Sequence, residues 1–346
     1  MMRKMKKIDL RSDTVTLPSP EMMEAIQRAK LGDDVYEEDP TVNELQELAA
    51  EKMGKEAALL VTSGTQGNLV SLLSQTHRGD EIILESRAHI YLFEVGGMAA
   101  IGGLMARPVY GERGFLKPEQ VVANIRGDNI HFPRTTLLAI ENTHNYAGGT
   151  VLDEEGMNAL AEVAHENGLR VHLDGARIFN AAVALKTDVK RLVRKVDSIQ
   201  FCLSKGLAAP IGSLVVGDRD FIKRARKYRK MLGGGMRQAG IIAAPGIIAL
   251  EKMVNRLAED HETAKLLAER LSKVEGVEVQ EPETNILFIN ISGTGKKPKW
   301  LVQELKKKNI IIRSGLDGRI RLVTHYGITK EDILFVAEEM ARLLES

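Results

Sequence analysis

The sequence predicts an α/β fold in which a large domain with a seven-stranded, mostly parallel sheet is followed by a small α+β domain. Between residues 55 and 220, short β-branched runs alternate with helical stretches, which is typical of parallel βαβ units. The length of 346 residues suits about two domains. We predict a large domain over residues 20–254 and a small domain over 255–346, with an N-terminal arm (1–19) associated with the small domain.

The predicted strands of the large domain are short aliphatic and β-branched runs that end close to turn-forming residues. In chain order they are EAALLVT (56–62), EIILES (81–86), RPVY (107–110), TTLLAIEN (135–142), LRVHLDG (169–175), DSIQFCLS (197–204) and GSLVVGD (212–218). Seven such strands predict one wide sheet with helices over both faces.

Helix ends are predicted from capping residues. Asp153 is the expected N-cap of one helix, which ends at Gly168, and a Thr41…Glu44 capping box is expected to start another, which ends at Gly54. After residue 255 the pattern predicts three helices and an antiparallel sheet. The strands are expected near VEVQ (277–280), NILFINI (285–291), NIIIR (309–313) and RIRLVTH (319–325), and the helices at 261–274, 297–308 and 330–346.

Composition excludes several classes of protein. Lys plus Arg number 48 against 47 Asp plus Glu, so the formal net charge of +1 lacks the excess that drives non-specific nucleic-acid binding. The longest apolar runs contain Pro or Gly and fall short of the roughly 20 residues that span a bilayer. The N-terminal MMRKMKK has no apolar stretch of a secretory signal, and the single Cys202 fits a reducing compartment. We expect a cytoplasmic protein without nucleic-acid or membrane partners.

The segment SGTQGN (63–68) lies where a predicted strand ends and a helix begins. Ser63, Gly64 and Thr65 are small, so their backbone N–H groups can approach an anion, and the start of a helix favours negative charge. The segment is neither a Walker A sequence nor G-x-G-x-x-G, which disfavours an NTPase or a nicotinamide dehydrogenase. By itself, such a turn is structural at least as often as it binds phosphate.

Two further side chains are predicted at the carboxyl edge of the sheet, where ligands of open α/β sheets bind. Asp174 ends one strand, and Lys205 follows the next. Alone, Asp174 could cap a helix and Lys205 could be an ordinary surface lysine. Together with the small-residue turn they supply what pyridoxal phosphate (PLP) requires, namely an anion site, a partner for the pyridinium N–H and an amine that forms an imine.

With these residues in place, the sequence resembles the fold-type I PLP-dependent enzymes, and more closely the L-threonine aldolase family. The resemblance runs nearly end to end, through the blocks LRSDTVTLPS (10–19), GDDVYEEDPTVNELQ (32–46), SGTQGN (63–68), AHIYLFEVGG (88–97), IHFPRT (130–135), ENTHN (141–145), HLDGARIFN (172–180), CLSKGL (202–207), KMLGGGMRQAG (230–240) and RLVTH (321–325). It implies a fold-type I architecture, PLP as the cofactor and a small amino acid as the substrate.

The resemblance also implies roles for single residues around the cofactor. Lys205 would form the imine with PLP, Asp174 would keep the ring nitrogen protonated, and His89 would stack on the ring. Ser63, Gly64 and Thr65 would bind the phosphate. Ser204, beside Lys205, and Arg177 are also expected to contact the cofactor.

Substrate contacts follow from the same resemblance. Arg177 and Arg321 would bind the substrate carboxylate, because a guanidinium can hold it with two hydrogen bonds. Ser12 would support them, and Arg313 is a weaker alternative. His89 and His131 would recognise the β-hydroxyl, and either of them, a phosphate oxygen or a water could take its proton.

Three consecutive glycines in KMLGGGMRQAG predict a break between two helices. The resemblance implies that Lys230 and Arg237 of this segment bind the cofactor phosphate of a neighbouring subunit, and that Tyr36 reaches the substrate in the same way. We therefore expect a homotetramer with shared active sites.

The expected activity is the reversible cleavage of L-allo-threonine or L-threonine to glycine and acetaldehyde, with L-allo-threonine favoured. Another fold-type I lyase, either serine hydroxymethyltransferase-like or β-eliminating, is the nearest alternative. A PLP-binding regulator without catalysis is a further alternative, although it would normally need a nucleic-acid-binding domain. No metal is expected.

Overall fold

The computed structural model describes residues 6–315 and 317–345. The first residues of the N-terminal MMRKMKK lie outside these ranges. The strands are β1 (Ile8–Asp9), β2 (Ala57–Val61), β3 (Glu81–Glu85), β4 (Met105–Val109), β5 (Thr135–Glu141), β6 (Arg170–Asp174), β7 (Ser198–Cys202), β8 (Ser213–Gly217), β9 (Glu278–Gln280), β10 (Ile286–Asn290), β11 (Ile310–Ile311), β12 (Arg313–Ser314) and β13 (Ile320–Val323).

The helices alternate with the strands through the first two thirds of the chain. They are α1 (Pro20–Arg28), α2 (Pro40–Met53), α3 (Gly64–Gln75), α4 (His89–Leu92), α5 (Gly97–Ala100), α6 (Pro118–Asn124), α7 (Glu154–Glu166), α8 (Ile178–Ala184), α9 (Val189–Leu192), α10 (Arg219–Met231), α11 (Gly240–Ile248), α12 (Leu257–Leu271), α13 (Pro298–Lys307) and α14 (Lys330–Leu344). Among the residues described, no helix has the length and apolar character needed to cross a membrane.

The main sheet has the strand order β2-β8-β7-β6-β5-β3-β4, so the seven strands predicted from the sequence form one sheet in the part of the chain that the structure describes. The strands β3 to β7 are paired in parallel, whereas β8 runs antiparallel to both β2 and β7. In register, Glu141 of β5 lies opposite Asp174 of β6, and Asp174 lies opposite Gln200 of β7. The carboxyl ends of these three strands therefore meet at one edge of the sheet.

Both faces of the main sheet are covered by helices, as β2 illustrates. Ala58 and Leu60 are buried in the cluster that includes α2 and α11, while Leu59 and Val61 are buried with residues of α3 and α10. Successive strand residues point to opposite faces, so a strand packed on both sides is apolar along its whole length. This explains why the sequence of β2 shows no alternation of apolar and polar residues.

The small sheet is antiparallel and has the order β12-β13-β10-β9. The predicted strand 309–313 is divided in the structure. Its first part, β11, pairs in parallel with β1 of the N-terminal arm, and its second part, β12, joins the small sheet. Ile8 and Leu10 of the arm are buried in the apolar core that α12, α13 and α14 share with this sheet. The boundary near residue 254 stays a prediction.

One predicted helix start is wrong. Helix α2 begins at Pro40 with Asp39 as its N-cap, and the Asp39 carboxylate accepts hydrogen bonds from the backbone N–H of Thr41 and Val42 at 3.1 and 3.0 Å. Proline suits the first helical position because its φ is preset and it has no N–H to satisfy there, so the cap falls on the residue before it. The predicted end at Gly54 is confirmed, since this residue has a φ of +62°.

Candidate active site

Asp174 ends β6 and is almost completely buried. Its Oδ2 accepts a hydrogen bond of 2.9 Å from the side-chain amide of Asn68, and its Oδ1 accepts one of 3.1 Å from the backbone N–H of Ala176. Burying a carboxylate is costly unless it is hydrogen-bonded. These two bonds fix the direction of the carboxylate at the sheet edge.

His172, two residues before Asp174, anchors Asn68. Its Nε2 lies 3.1 Å from Oδ1 of Asn68, and its Nδ1 lies 2.8 Å from the hydroxyl of Ser198. Complete burial lowers the pKa of His172 to about 4, so the ring is neutral near pH 7. A neutral imidazole that donates from Nε2 to Asn68 accepts at Nδ1 from Ser198, which satisfies both ring nitrogens.

His89 begins the short helix α4 beside Asp174. Its backbone N–H donates to Glu141 at 2.6 Å, and its Nδ1 lies 3.0 Å from Oε1 of Glu94. Burial alone would lower the pKa of the imidazole, but the hydrogen bond with Glu94 and the charges of Asp174 and Glu141 raise it above its ordinary value. His89 is therefore held at two points, its backbone by Glu141 and its ring by Glu94.

Lys205 lies three residues beyond the end of β7, and it is half-buried. The strand β7 is the neighbour of β6, which Asp174 ends. Ser204 beside Lys205 is also half-buried. Gly206 follows because a Cβ there would lie 2.8 Å from Cδ2 of Leu257. The structure thus brings the predicted acid and the predicted amine to neighbouring strand ends.

The small-residue turn starts helix α3. Ser63 is the N-cap, and its hydroxyl accepts from the backbone N–H of Gln66 at 3.2 Å. A Cβ at Gly64 would lie 3.0 Å from the sulfur of Cys202 and one at Gly67 would lie 2.5 Å from Cγ of Gln200, so both positions require close packing against β7. This packing places the start of α3, with its free backbone N–H groups, at the same sheet edge.

Arg177 is buried and forms a bidentate ion pair with Asp13 of the N-terminal arm, with both N–H···O distances at 2.7 Å. Burial would raise the pKa of the Asp13 carboxyl, but Arg177 holds it well below its usual range. Lys205 and Arg321 act in the same direction, which places all three positive groups around one carboxylate. Ser12, next to Asp13, accepts a hydrogen bond of 3.2 Å from the backbone N–H of Thr14.

Arg321 of β13 reaches the same region from the small sheet. Its Nη2 donates to Oδ1 of Asn145 at 2.7 Å and its Nη1 donates to the backbone carbonyl of Arg11 at 3.2 Å. Its Nε is buried and has no hydrogen-bond partner among residues 6–315 and 317–345. Burial and the neighbouring Arg177 lower the pKa of Arg321 to about 10. A buried guanidinium donor without a partner, beside the positive charge of Arg177, has the chemistry to bind an anion.

Four predicted site residues lie on the surface of the chain. The side chain of Tyr36 is exposed, and His131 lies in an exposed loop between α6 and β5. Lys230 is exposed at the end of α10, and the exposed Arg237 lies 3.4 Å from the Asp33 carboxylate. The predicted glycine break is observed between α10 and α11, with Lys230 just before it and Arg237 within it. Their roles stay predictions.

Several polar residues of the site were not among those predicted from the sequence. They share burial or a hydrogen bond to a predicted residue, and they are Asp13, Asn68, Glu94, Glu141 and Asn145. Each lies inside one of the ordered blocks, so the blocks contain the signal that could have identified them.

These residues fit PLP. The start of α3 offers N–H groups to a phosphate, Asp174 offers a carboxylate to a pyridinium N–H, and Lys205 offers an amine. The same region has a second chemical possibility, because ligand atoms of His89, Glu94 and Asp174 all lie within 4.8 Å of one another, a spacing that can hold a metal ion. The expectation that no metal binds stays a prediction.

The main sheet, with an acid and a lysine at neighbouring strand ends and a small antiparallel sheet beside it, has the fold of the fold-type I PLP-dependent enzymes. The chain belongs to the beta-eliminating lyase family, whose model matches residues 9–294. The fold class and the family predicted from the sequence are thus confirmed.

Relatives support this assignment over nearly the whole chain. A low specificity L-threonine aldolase of Escherichia coli (strain K12) is 48% identical over 331 residues, which cover 95% of this chain and 97% of the relative. Low-specificity L-threonine aldolase 1 of Arabidopsis thaliana is 43% identical over 336 residues, covering 95% of this chain and 94% of the relative. The solved structure of a Leishmania major threonine aldolase shares the fold, with a TM-score of 0.84 at 20% identity over 97% of this chain and 99% of that chain.

The burial of His172 predicts a loss of stability in acid. Because its folded pKa is depressed to about 4, its contribution is fully present above pH 6.5 and is lost as the pH falls from 6.5 to 4. This loss amounts to about 3 kcal/mol. In a His172→Gln variant, the decrease in unfolding free energy over this interval should be smaller by up to that amount, as measured by urea unfolding in buffers from pH 4 to 7.

The matched control is His77→Gln, since the side chain of His77 is 82% exposed. This variant should show the pH dependence of the unmodified protein. An unchanged pH dependence in His172→Gln would contradict a buried, neutral His172.

Proposed function

We propose that this protein cleaves L-threonine and L-allo-threonine to glycine and acetaldehyde by breaking the Cα–Cβ bond, and that it also runs the reverse condensation. The observation that carries the proposal is the 48% identity, over 95% of the chain, to a relative named low specificity L-threonine aldolase. We propose L-allo-threonine as the preferred isomer.

PLP is the cofactor of this reaction, and when bound it supplies an electron-accepting ring that stabilises the charge released at Cα. We assign its phosphate to the backbone N–H groups of Gly64 and Thr65 and to Ser63, at the start of α3. Asp174, held by Asn68, is the partner of the pyridinium N–H. Lys205 supplies the amine that links cofactor and protein, and Ser204 and Arg177 line the same edge.

The substrate carboxylate is assigned to Arg321, with Arg177 and Ser12 beside it. Two of the N–H groups of Arg177 are occupied by Asp13, whereas the Nε of Arg321 has no partner within the described part of the chain. Arg321 donates to two neutral oxygens, of Arg11 and Asn145, so its charge is not paired with a carboxylate as that of Arg177 is and stays available for an anion. Fixing the carboxylate fixes the torsion about Cα and so selects the bond that breaks.

We assign proton removal from the β-hydroxyl to His89, which lies beside Asp174 in the same chain. As the O–H proton passes to the imidazole, the aldehyde C=O forms and the electron pair of the Cα–Cβ bond stays with Cα. A proton returned to Cα, for which the amine of Lys205 is available, gives glycine. His131, in its exposed loop, is proposed to contribute to substrate recognition.

We also propose a homotetramer with shared active sites in the cytoplasm. Several large apolar side chains are exposed, among them Val95, Ile130, Phe132 and Met231, and Met231 directly follows the proposed intersubunit residue Lys230. Contiguous exposed apolar surface is typical of a protein interface. The free, buried Cys202 is compatible with a reducing compartment.

Replacing Lys205 by Ala should abolish activity, because the covalent link to the cofactor is lost. We expect no absorbance band near the visible edge after PLP is added, and no aldehyde release from any threonine stereoisomer. Lys223→Ala, which removes an exposed lysine of α10, is the matched control and should keep both signals. Aldehyde release by the Lys205→Ala variant, or a colourless unmodified protein without aldehyde release, would refute the proposal.

Replacing Arg321 by Lys should raise KM for threonine about tenfold or more while the PLP absorbance band is retained. Hydrogen bonds to charged groups contribute about 1.5–3 kcal/mol, and about 1.4 kcal/mol corresponds to tenfold in affinity. Arg313→Lys is the control, since Arg313 lies opposite Arg321 on β12 and is exposed. Equal KM values in the two variants would argue against Arg321 as the carboxylate site.

Shared active sites predict complementation between inactive variants. Mixing Lys205→Ala with Arg237→Ala subunits under subunit exchange should restore part of the activity, because some sites then combine an intact Lys205 with an intact Arg237. Mixing Lys205→Ala with Asp174→Asn is the control, since both side chains belong to the same chain's share of the site and no intact site can form. Equal activity in both mixtures would contradict sharing.

A further inference from the structure

Glu94 is a buried carboxylate to which the proposed mechanism gives no role. It lies just beyond α4, and its Oε1 is 3.0 Å from Nδ1 of His89 and 2.8 Å from Nδ2 of Asn68. The same amide nitrogen of Asn68 donates to Asp174 at 2.9 Å. One amide group therefore bridges two carboxylates, and one of these carboxylates contacts the imidazole.

Three acidic side chains act on the imidazole of His89. The groups that face the His89 imidazole come from three parts of the fold, since Glu94 follows α4, Asp174 ends β6 and Glu141 ends β5. Burial and the nearby Asp174 raise the pKa of Glu94, while its contact with His89 opposes that rise. Two ionised carboxylates close together in a buried place are unfavourable. The contact with the imidazole of His89 therefore stabilises the ionised form of Glu94.

We propose that Glu94 is a positioning residue that fixes the ring of His89 and keeps its proton at Nδ1. With Nδ1 occupied by this contact, Nε2 is the nitrogen that remains to exchange a proton with a ligand. The carboxylate also limits rotation of the ring, so the imidazole keeps one orientation beside the residues assigned to the cofactor. The functional part of this inference rests on the proposed aldolase function, whereas the contact itself does not.

The test replaces Glu94 by Gln, which keeps the size of the side chain and an acceptor for His89 but removes the charge. In the full-length protein without PLP, the reaction of His89 with diethyl pyrocarbonate is followed by peptide mass spectrometry across pH 5–9, because only the neutral imidazole reacts. Loss of the carboxylate should move the midpoint for His89 downward by at least one pH unit. Glu47→Gln, which alters an exposed glutamate of α2 by the same charge, should leave the midpoint in place.

A second measurement is the dissociation constant for PLP, determined by absorbance titration. Because a neutral amide holds the imidazole of His89 less firmly than a carboxylate does, the constant should rise several-fold in Glu94→Gln and remain unchanged in Glu47→Gln. An unshifted His89 midpoint in Glu94→Gln, or equal shifts in both variants, overturns the proposal. If Glu94→Gln fails to fold by circular dichroism, Glu94→Ala, which also removes the charge, takes its place, and an unchanged midpoint in that variant is equally decisive.

The two proposals fail separately. The His89 midpoint is measured without cofactor or substrate, so a shift with no aldehyde release from the PLP-loaded, unmodified enzyme would overturn the aldolase function and leave the positioning contact in place. Aldehyde release with no shift would do the reverse.

Discussion

The parallel pairing of β5, β6 and β7 is the constraint on which the candidate active site depends. Parallel neighbours in register end at one edge, so Glu141 and Asp174 lie opposite each other and Lys205 follows a few residues beyond β7. A shift of one residue would turn Asp174 to the other face of the sheet. Leu173 and Ile199, both fully buried, oppose such a shift, so apolar packing inside the sheet determines the direction in which Asp174 points.

The buried polar side chains behind this edge form hydrogen bonds with one another. Ser198 at the start of β7 contacts His172, His172 contacts Asn68, and Asn68 donates to both Asp174 and Glu94. A buried polar group left without a partner costs about 1–3 kcal/mol. Each member therefore orients the next, and the position of Asp174 is tied to the interior of the sheet.

The sequence alone was sufficient to predict those elements of the fold that depend on the residue pattern within one segment. Apolar runs such as β2 are recognisable because both sheet faces are covered. The division of residues 309–313 between β11 and β12 was not predictable, because it depends on the pairing of β11 with the distant arm strand β1. Likewise, Asp174 and Lys205 follow strands and could be proposed, whereas Glu94 resembles any charged residue near a short helix until the fold places it beside His89.

Around the buried Asp13, where the N-terminal arm meets the two sheets, positive groups outnumber this one carboxylate. They are Arg177, Lys205 and Arg321. Asp13 accepts two hydrogen bonds from Arg177 and so neutralises one guanidinium, while burial and Arg177 lower the pKa of Arg321 to about 10. Removing a partner from a buried charge costs several kcal/mol, and one carboxylate from a ligand would supply both the missing charge and an acceptor for Arg321 Nε. An α-amino acid carries that carboxylate one carbon from its amine, and Lys205 acts on the same buried Asp13. The charge balance of the site therefore favours an amino-acid substrate independently of the fold.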